Sequence, residues 1–330
     1  MSGNDLVSIV MPAYNHARFI EEAVQSVIDQ TYKNIEFLVI DDGSSDSTFE
    51  LLQKMRPACE KRFVRMVMER QPNQGTALTL KHLFSQVKGR FLTSLASDDV
   101  LHSDFVQICY DFLSKNNDYG AVNVESDLID EQSRTIYWNR YFKSVSSMEA
   151  VYHTFGDFLR HIHQHIDFKS DEFGRYESLL RSNHIQHGLL SRRGLFEQAD
   201  CFTEKAPLED WFMVLQIAKQ TKIRFIETPP LYHYRWHGHN AIKQHDLMRN
   251  FAERTLRHEA QLVAASGDLN LQKRFQSAFP YDRFFFKSSW LDIFRRHTLE
   301  GAKITVKVLG MPALVIPESL ITWVKKVLLS

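Results

Sequence analysis

Four carboxylates and one aromatic ring fall just after apolar runs of this chain. Pro12-Ala13-Tyr14-Asn15 follows Leu6–Met11, Asp41-Asp42 follows Ile35–Ile40, and Ser97-Asp98-Asp99 follows Arg90–Leu95. If those runs are parallel strands of one sheet, the three loops converge at its carboxyl edge, where open α/β sheets bind ligands. Carboxylates gathered there repel one another and need a cation or hydrogen-bond donors. A hard divalent ion with oxygen ligands is the simplest remedy, and it would also bridge to a diphosphate. Either acidic pair alone reads as a turn cap or a solvated turn; their joint placement is what points to a site.

The elements that must position these loops are legible as periodicity. Leu6–Met11 is apolar apart from Ser8, as a buried parallel strand is. Phe19, Ile20, Ala23, Val24, Val27 and Ile28 then recur at helical spacing, with Asn15 placed to cap that helix. A second strand is expected at Ile35–Ile40, a helix near Thr48–Met55, a third strand at Phe63–Met68, a helix over Thr76–Val87 and a fourth strand at Arg90–Leu95. This βαβαβαβ order implies a mostly parallel sheet covered on both faces. Beyond residue 100 a helix is expected over His102–Lys115, a strand at Tyr119–Val124, a helix over Glu209–Gln220, and strands at Ile223–Glu227 and Leu231–Trp236. Ser144–Asn183 has no clear period, and the chain from about Gln244 onward reads as helical.

Composition bounds the function. The chain has 330 residues, 44% of them hydrophobic and 24% charged, enough for a packed core and too apolar for a disordered chain. That length fits about two domains, or one large domain with additions. Lys+Arg and Asp+Glu are each 40, so a large basic surface for nucleic acid is not expected. No apolar window is long enough for a spanning helix, and MSGNDLVSIVMPAYN lacks the basic-then-apolar order of a secretory signal. Cys59, Cys109 and Cys201 have no paired spacing and fit reduced thiols of a cytoplasmic protein.

At its motifs the chain resembles the inverting family-2 glycosyltransferases of GT-A fold, a Rossmann-like, mostly parallel sheet flanked by helices. The matching segments are Ser8–Asn15, Ser26–Tyr32, Val39–Asp46, Asn73-Gln74-Gly75, Ser97-Asp98-Asp99, Glu209-Asp210-Trp211 and Arg235-Trp236-His237-Gly238-His239-Asn240. On that resemblance residues 1–100 form the nucleotide-sugar-binding half, 101–243 the acceptor-binding and catalytic-base half, and 244–330 a helical extension. The resemblance assigns Pro12, Ala13, Tyr14, Asn15, Asp41, Asp42, Asn73, Gly75, Ser97, Asp98 and Arg235 to the donor side. Tyr14 would pack on the base, Asp42 accept the uracil N–H, Asp98 meet the ribose, and Arg235 neutralise diphosphate charge. Asp99 and His237 would hold Mn²⁺ or Mg²⁺, with His239 as an alternative to His237. Asp210, beside Glu209, is the expected general base, made more basic by that neighbour and by partial burial. The same Glu209-Asp210 pair also suits the first turn of a helix.

The expected substrate pair is a UDP-hexose or UDP-N-acetylhexosamine and a saccharide or lipid-diphosphate-linked saccharide of bacterial O-antigen, lipooligosaccharide or capsule. A nucleotidyltransferase would need a Gly-rich, basic loop after the first strand, which Pro12–Asn15 does not supply. A sugar- or lipid-binding module without turnover is the non-enzymatic rival; Asp99 and Asp210 argue against it and Ala96, where many relatives carry an acid, argues for it. The segment Thr76–Lys81 also lacks the Ala-Arg-Asn run of many relatives, so no Arg contact to the donor is expected there. Six histidines lie between His153 and His187; the preferred reading is acceptor-site or surface residues, with Tyr152, His153, Arg175, Tyr176 and His187 as candidate sugar contacts, and the rival is a metal strand face. Residues 281–330 carry eight Lys/Arg and four acids beside Phe284-Phe285-Phe286, Trp290 and Trp323. That pattern fits either a helix lying peripherally on the inner membrane face or one packed on the domain or a second subunit.

Overall fold

A computed structural model describes residues 5–279, apart from 142, 198, 239, 241 and 242, and two short strands at 304–306 and 314–316. The first hundred residues fold in the expected alternation: β1 (Val7–Ala13), α1 (Ile20–Ile28), β2 (Ile35–Asp41), α2 (Thr48–Arg62), β3 (Arg65–Arg70), α3 (Thr76–Gln86) and β4 (Phe91–Ser94). There follow β5 (Val100–Leu101), α4 (Phe105–Lys115), β6 (Tyr119–Asn123), β7 (Ser126–Ile129), β8 (Thr135–Trp138), β9 (Ser144–Val145), α5 (Phe155–Ile162), α6 (Tyr176–Arg181) and β10 (Leu189–Arg192). The described chain then runs through α7 (Gly194–Glu197), α8 (Glu209–Gln220), β11 (Lys222–Phe225), β12 (Tyr232–Arg235), α9 (His245–Ala265) and α10 (Leu269–Ala278).

The main sheet has the order β11-β6-β10-β4-β1-β2-β3. β4, β1, β2 and β3 are mutually parallel, as the sequence implies. β10 inserts antiparallel between β4 and β6, so the sheet passes unbroken through residue 100. Burial on both faces explains the continuous apolar runs. Along β1, Val7, Ile9 and Met11 pack against α1 and α4, and Val10 packs against Leu80 and Leu83 of α3 on the opposite face. Ser8 is the polar exception: it is fully buried and donates to Glu36 Oε1 at 2.6 Å. Burial opposes the charge of Glu36, but Ser8, the Lys88 and Gly89 amides and Arg65 outweigh it and hold the carboxyl low. This knot ties the amino ends of β1 and β2, leaving the carboxyl ends for ligands.

A second sheet, β5-β12-β7-β8-β9, leans on the first from residues 100–145 and 232–235. Most of it was not legible. β5 and β9 have two residues each, too few to show a period. The aperiodic 144–183 stretch holds the short helices α5 and α6. α9 and α10 bear out the helical reading through Ala278. The basic, aromatic tail lies outside the described residues except for Ile304–Val306 and Leu314–Ile316, which pair antiparallel and are not helical. Among the described residues no helix is long and apolar enough to cross a membrane. All three cysteines are buried and unbridged.

Candidate active site

The loops after β1 and β2 are stitched together. The Asp42 amide donates to the Ala13 carbonyl at 2.8 Å, where the two strands end in register. Asn15 adopts φ 53°; its amide donates to Ser44 Oγ and its side-chain oxygen accepts the Ser45 amide at 2.8 Å. Asn15 therefore clamps the next loop rather than capping α1. Tyr14 is left at the rim, 47% exposed, while Ala13 below it is buried. Asp42 is buried, and its oxygens accept Gln71 Nε2 at 2.8 Å and the Gln74 and Gly75 amides at 2.9 and 2.8 Å. It thereby fixes the exposed Asn73-Gln74-Gly75 loop at the start of α3. A carboxylate has about four acceptor sites, so a further donor can be accommodated. Asp41 departs from the donor-side expectation: it is fully buried, accepts the Ser44 amide and pairs with Arg70 at 3.2 Å, acting as a brace beneath the loop.

Asp98 and Asp99 part ways. Asp98 Oδ2 meets His237 Nε2 at 2.9 Å, and its Oδ1 lies 3.8 Å from His16 Nδ1. Burial opposes its charge, but the His237 hydrogen bond and the fields of His16 and His237 win and hold it below the usual range. Asp99 is driven well above that range by burial and by Asp98 beside it. Its oxygens accept the Arg235 amide at 2.8 Å and the Tyr232 hydroxyl at 2.7 Å. Asp98, not the expected Asp99, thus belongs to the metal-capable group, which is His16, Asp98 and His237. The sequence reading missed His16; its place one residue beyond Asn15 was the available signal.

Arg235 also departs from expectation. It is fully buried, with Nε donating to the Asp98 carbonyl at 2.6 Å and NH1 to the Asp130 carbonyl and Ser133 Oγ at 2.9 Å. NH2 donates to Glu22 at 2.7 Å, and the guanidinium covers the Phe19 ring. Its fork is spent on holding β12, the Asp98 main chain and α1 together, so it is not a diphosphate contact here. His237 is buried, its amide held by Asn240 Oδ1. His239 lies outside the described residues. The repulsion foreseen among four carboxylates is relieved largely by hydrogen-bond donors.

Glu209 and Asp210 open α8, the helix start that suits acids. Asp210 is exposed, and Glu209 is the partly buried member. Burial and the Asp210 charge push the Glu209 carboxyl up to about 7. Asn183 Nδ2 donates to Asp210 Oδ2 at 3.1 Å, a partner the aperiodic sequence gave no means of finding. His187 stacks on Tyr234 at 4.4 Å and on Tyr232 at 5.5 Å. Burial pushes the His187 imidazole down, against the opposing pull of the Asp210 and Asp98 charges. Tyr234 likewise feels Asp99, Asp98 and Asp210, beyond the effect of burial.

The other histidines and acceptor candidates divide. His153 and Arg175 are exposed and His187 is half-buried. Tyr176 is not a sugar contact: it is fully buried and its hydroxyl donates to Glu259. Tyr152 is buried as well. His163 and His184 are core residues, with His163 on Ser182 Oγ and His184 on the Phe173 carbonyl, which corrects the surface reading for both.

Known proteins share both sequence and shape with this chain. The family model for glycosyl transferase family 2 matches residues 8–180. Glycosyltransferase GlyG of Streptococcus pneumoniae is 32% identical over 108 residues, 32% of this chain and 35% of its own length. Chondroitin synthase of Escherichia coli is 31% identical over 154 residues, 46% of this chain and 22% of that protein. The chain spans less than half the length of these relatives. Among solved structures, S. aureus TarS 1–349 with UDP-GlcNAc superposes with TM-score 0.54 at 15% identity, covering 84% of this chain and 74% of that one. The mannosyltransferase PcManGT of Pyrobaculum calidifontis, with GDP-Man and Mn²⁺, gives 0.51 at 16%, covering 84% and 80%. At those identities the structures attest the mostly parallel, helix-flanked GT-A architecture. The family match spans more than half of the chain and takes in the loops after β1, β2 and β4, so this chain belongs to glycosyl transferase family 2.

Proposed function

We propose that the chain is a metal-dependent, inverting glycosyltransferase that moves one sugar from a nucleoside-diphosphate donor, UDP-linked, to a saccharide acceptor. The carrying observation is the Asp98–His237 pair at 2.9 Å beyond the end of β4, with Asp210 held by Asn183 on the first turn of α8. Asp98 is the carboxylate we assign to the diphosphate side and Asp210 the one we assign to the acceptor side. The exposed Tyr14 ring and the Asp42 carboxylate beside it suit a nucleobase, and UDP-GlcNAc and GDP-Man bound in the structural neighbours support a nucleotide-sugar donor.

The carboxylate of Asp98 and the imidazole of His237 are a donor pair that fits a divalent ion such as Mn²⁺. Asp98 and His237 would hold it, and when bound it supplies positive charge against the charge growing on the leaving diphosphate. Asp99, by contrast, secures β12 through Tyr232 and the Arg235 amide. Asp210 takes the proton of the acceptor hydroxyl as that oxygen attacks the anomeric carbon opposite the diphosphate, with Asn183 fixing the carboxylate. A single displacement inverts the centre, so a UDP-α-sugar gives a β-linkage. We assign the stacked rings of His187 and Tyr234 to the acceptor side. Chondroitin synthase among the relatives favours a polysaccharide product, and we place the acceptor among bacterial surface saccharides, including lipid-diphosphate-linked ones at the inner membrane face.

A screen of UDP-, GDP- and dTDP-sugars for Mn²⁺-dependent hydrolysis tests the reading. Turnover of a UDP-sugar that stops on chelation is expected. Equal turnover in the presence of a chelator overturns the metal assignment, and no turnover of any sugar nucleotide overturns the activity.

A further inference from the structure

We propose that His16 is a third protein ligand of that metal, so that two imidazoles and one carboxylate hold the ion and Mn²⁺ or Co²⁺ binds in preference to Mg²⁺. This rests on the preceding reading for the presence of a metal and goes beyond it in ligand set and metal choice. The ligand atoms of His16, Asp98 and His237 all lie within 4.8 Å of one another. Bonds of ~2.1 Å put two donors ~3 Å apart when cis and ~4.2 Å apart when trans, so the three fit around one ion with small side-chain adjustments.

His16 is held for this role. Its amide donates to Thr48 Oγ1 at 2.9 Å, which pins the main chain to the start of α2. Its Nδ1 lies 2.8 Å from Ser97 Oγ as well as 3.8 Å from Asp98 Oδ1. The His16 and His237 rings stand edge to face, 6.1 Å apart at 84°, and both rest on Phe19. Phe19 therefore walls one side and leaves the imidazole nitrogens to face the carboxylate. Asp98 is 9% exposed and His237 5% exposed, so the group is built into the fold rather than scattered on its surface. Binding would exchange the Asp98–His237 hydrogen bond for two metal bonds.

The metal preference follows from ligand type. Mg²⁺ favours oxygen ligands and sheds water reluctantly, whereas imidazole suits the later divalent ions. His16 also lies two residues beyond Tyr14, so a metal on His16 fastens the loop that faces the nucleobase.

The test uses the full chain, with and without UDP, loaded with Mn²⁺. Pulsed electron paramagnetic resonance counts the nitrogens on the ion: two are expected in the parent and one in either His16→Ala or His237→Ala. Calorimetry is expected to show Mn²⁺ binding at least ~10-fold tighter than Mg²⁺, a gap that narrows in His16→Ala. One nitrogen in the parent, lost in His237→Ala and retained in His16→Ala, overturns the proposal and leaves the metal-dependent transferase standing. No bound Mn²⁺ under either condition overturns both. Circular dichroism identical to the parent shows that each variant is folded.

Discussion

Asn183 donates its side-chain amide to Oδ2 of Asp210 at 3.1 Å, joining the loop before β10 to the first turn of α8. That bond selects one rotamer of an otherwise exposed side chain, so the carboxylate we propose as the base is aimed before the acceptor arrives.

Removing that amide should be visible in turnover. Asn183→Ala is expected to lower kcat by roughly 10-fold or more, the worth of a hydrogen bond to a charged group. Affinity for UDP should not change. A parental kcat would mean that Asn183 does not act on the proposed base.

Asp210→Asn tests the base itself. Transfer should fall by roughly 10²–10⁴-fold while UDP affinity stays within about twofold, because the role proposed for the residue is toward the acceptor and not the donor. Combining it with Asn183→Ala should add nothing further, since the second residue acts through the first. Parental transfer rates in Asp210→Asn would locate the base elsewhere.

Glu209 makes stability depend on pH. Its carboxyl rises from 4.5 to about 7 on folding, so the folded chain holds a proton that the unfolded chain has released. The stabilising proton is fully bound in both states below about 4.5, and stability falls as pH rises from there through 7. The melting temperature should decline over that window, and Glu209→Gln should flatten the decline. A parental slope in Glu209→Gln would contradict the assignment.

Arg235 should behave as a structural clamp. Arg235→Lys keeps the charge but loses the fork that reaches Glu22, Ser133 and two carbonyls. We expect a loss of roughly 2–4 kcal/mol in unfolding free energy, read by denaturant titration. A variant of parental stability with weakened UDP binding would restore the diphosphate role.

What the sequence made legible is the part governed by short-range rules. The run Val7–Ala13 had to be a buried strand because both of its faces are covered, and Glu209–Gln220 carries acids where a helix starts. The strand ends followed, and with them the loops that hold Tyr14, Asp42 and Asp98. Side-chain direction did not follow. Asp98 and Asp99 are adjacent and alike in sequence, yet one meets His237 and the other Tyr232, a division fixed by where β12 passes. Arg235 is basic in sequence and looks available, but only the fold brings Glu22 from α1 to its guanidinium. Asn183 and His187 stand in a stretch without period, where partners distant in sequence decide the conformation.

The account stands on Asp98 and His237 as the metal side of a nucleotide-sugar site. Calorimetric titration of UDP into the parent and Asp98→Asn, each with Mn²⁺ and with a chelator, tests that directly. The parent should bind UDP at least ~10-fold more tightly with Mn²⁺, and Asp98→Asn should bind weakly and equally under both conditions. Metal-independent UDP binding in the parent, or an undiminished Mn²⁺ effect in Asp98→Asn, would contradict it.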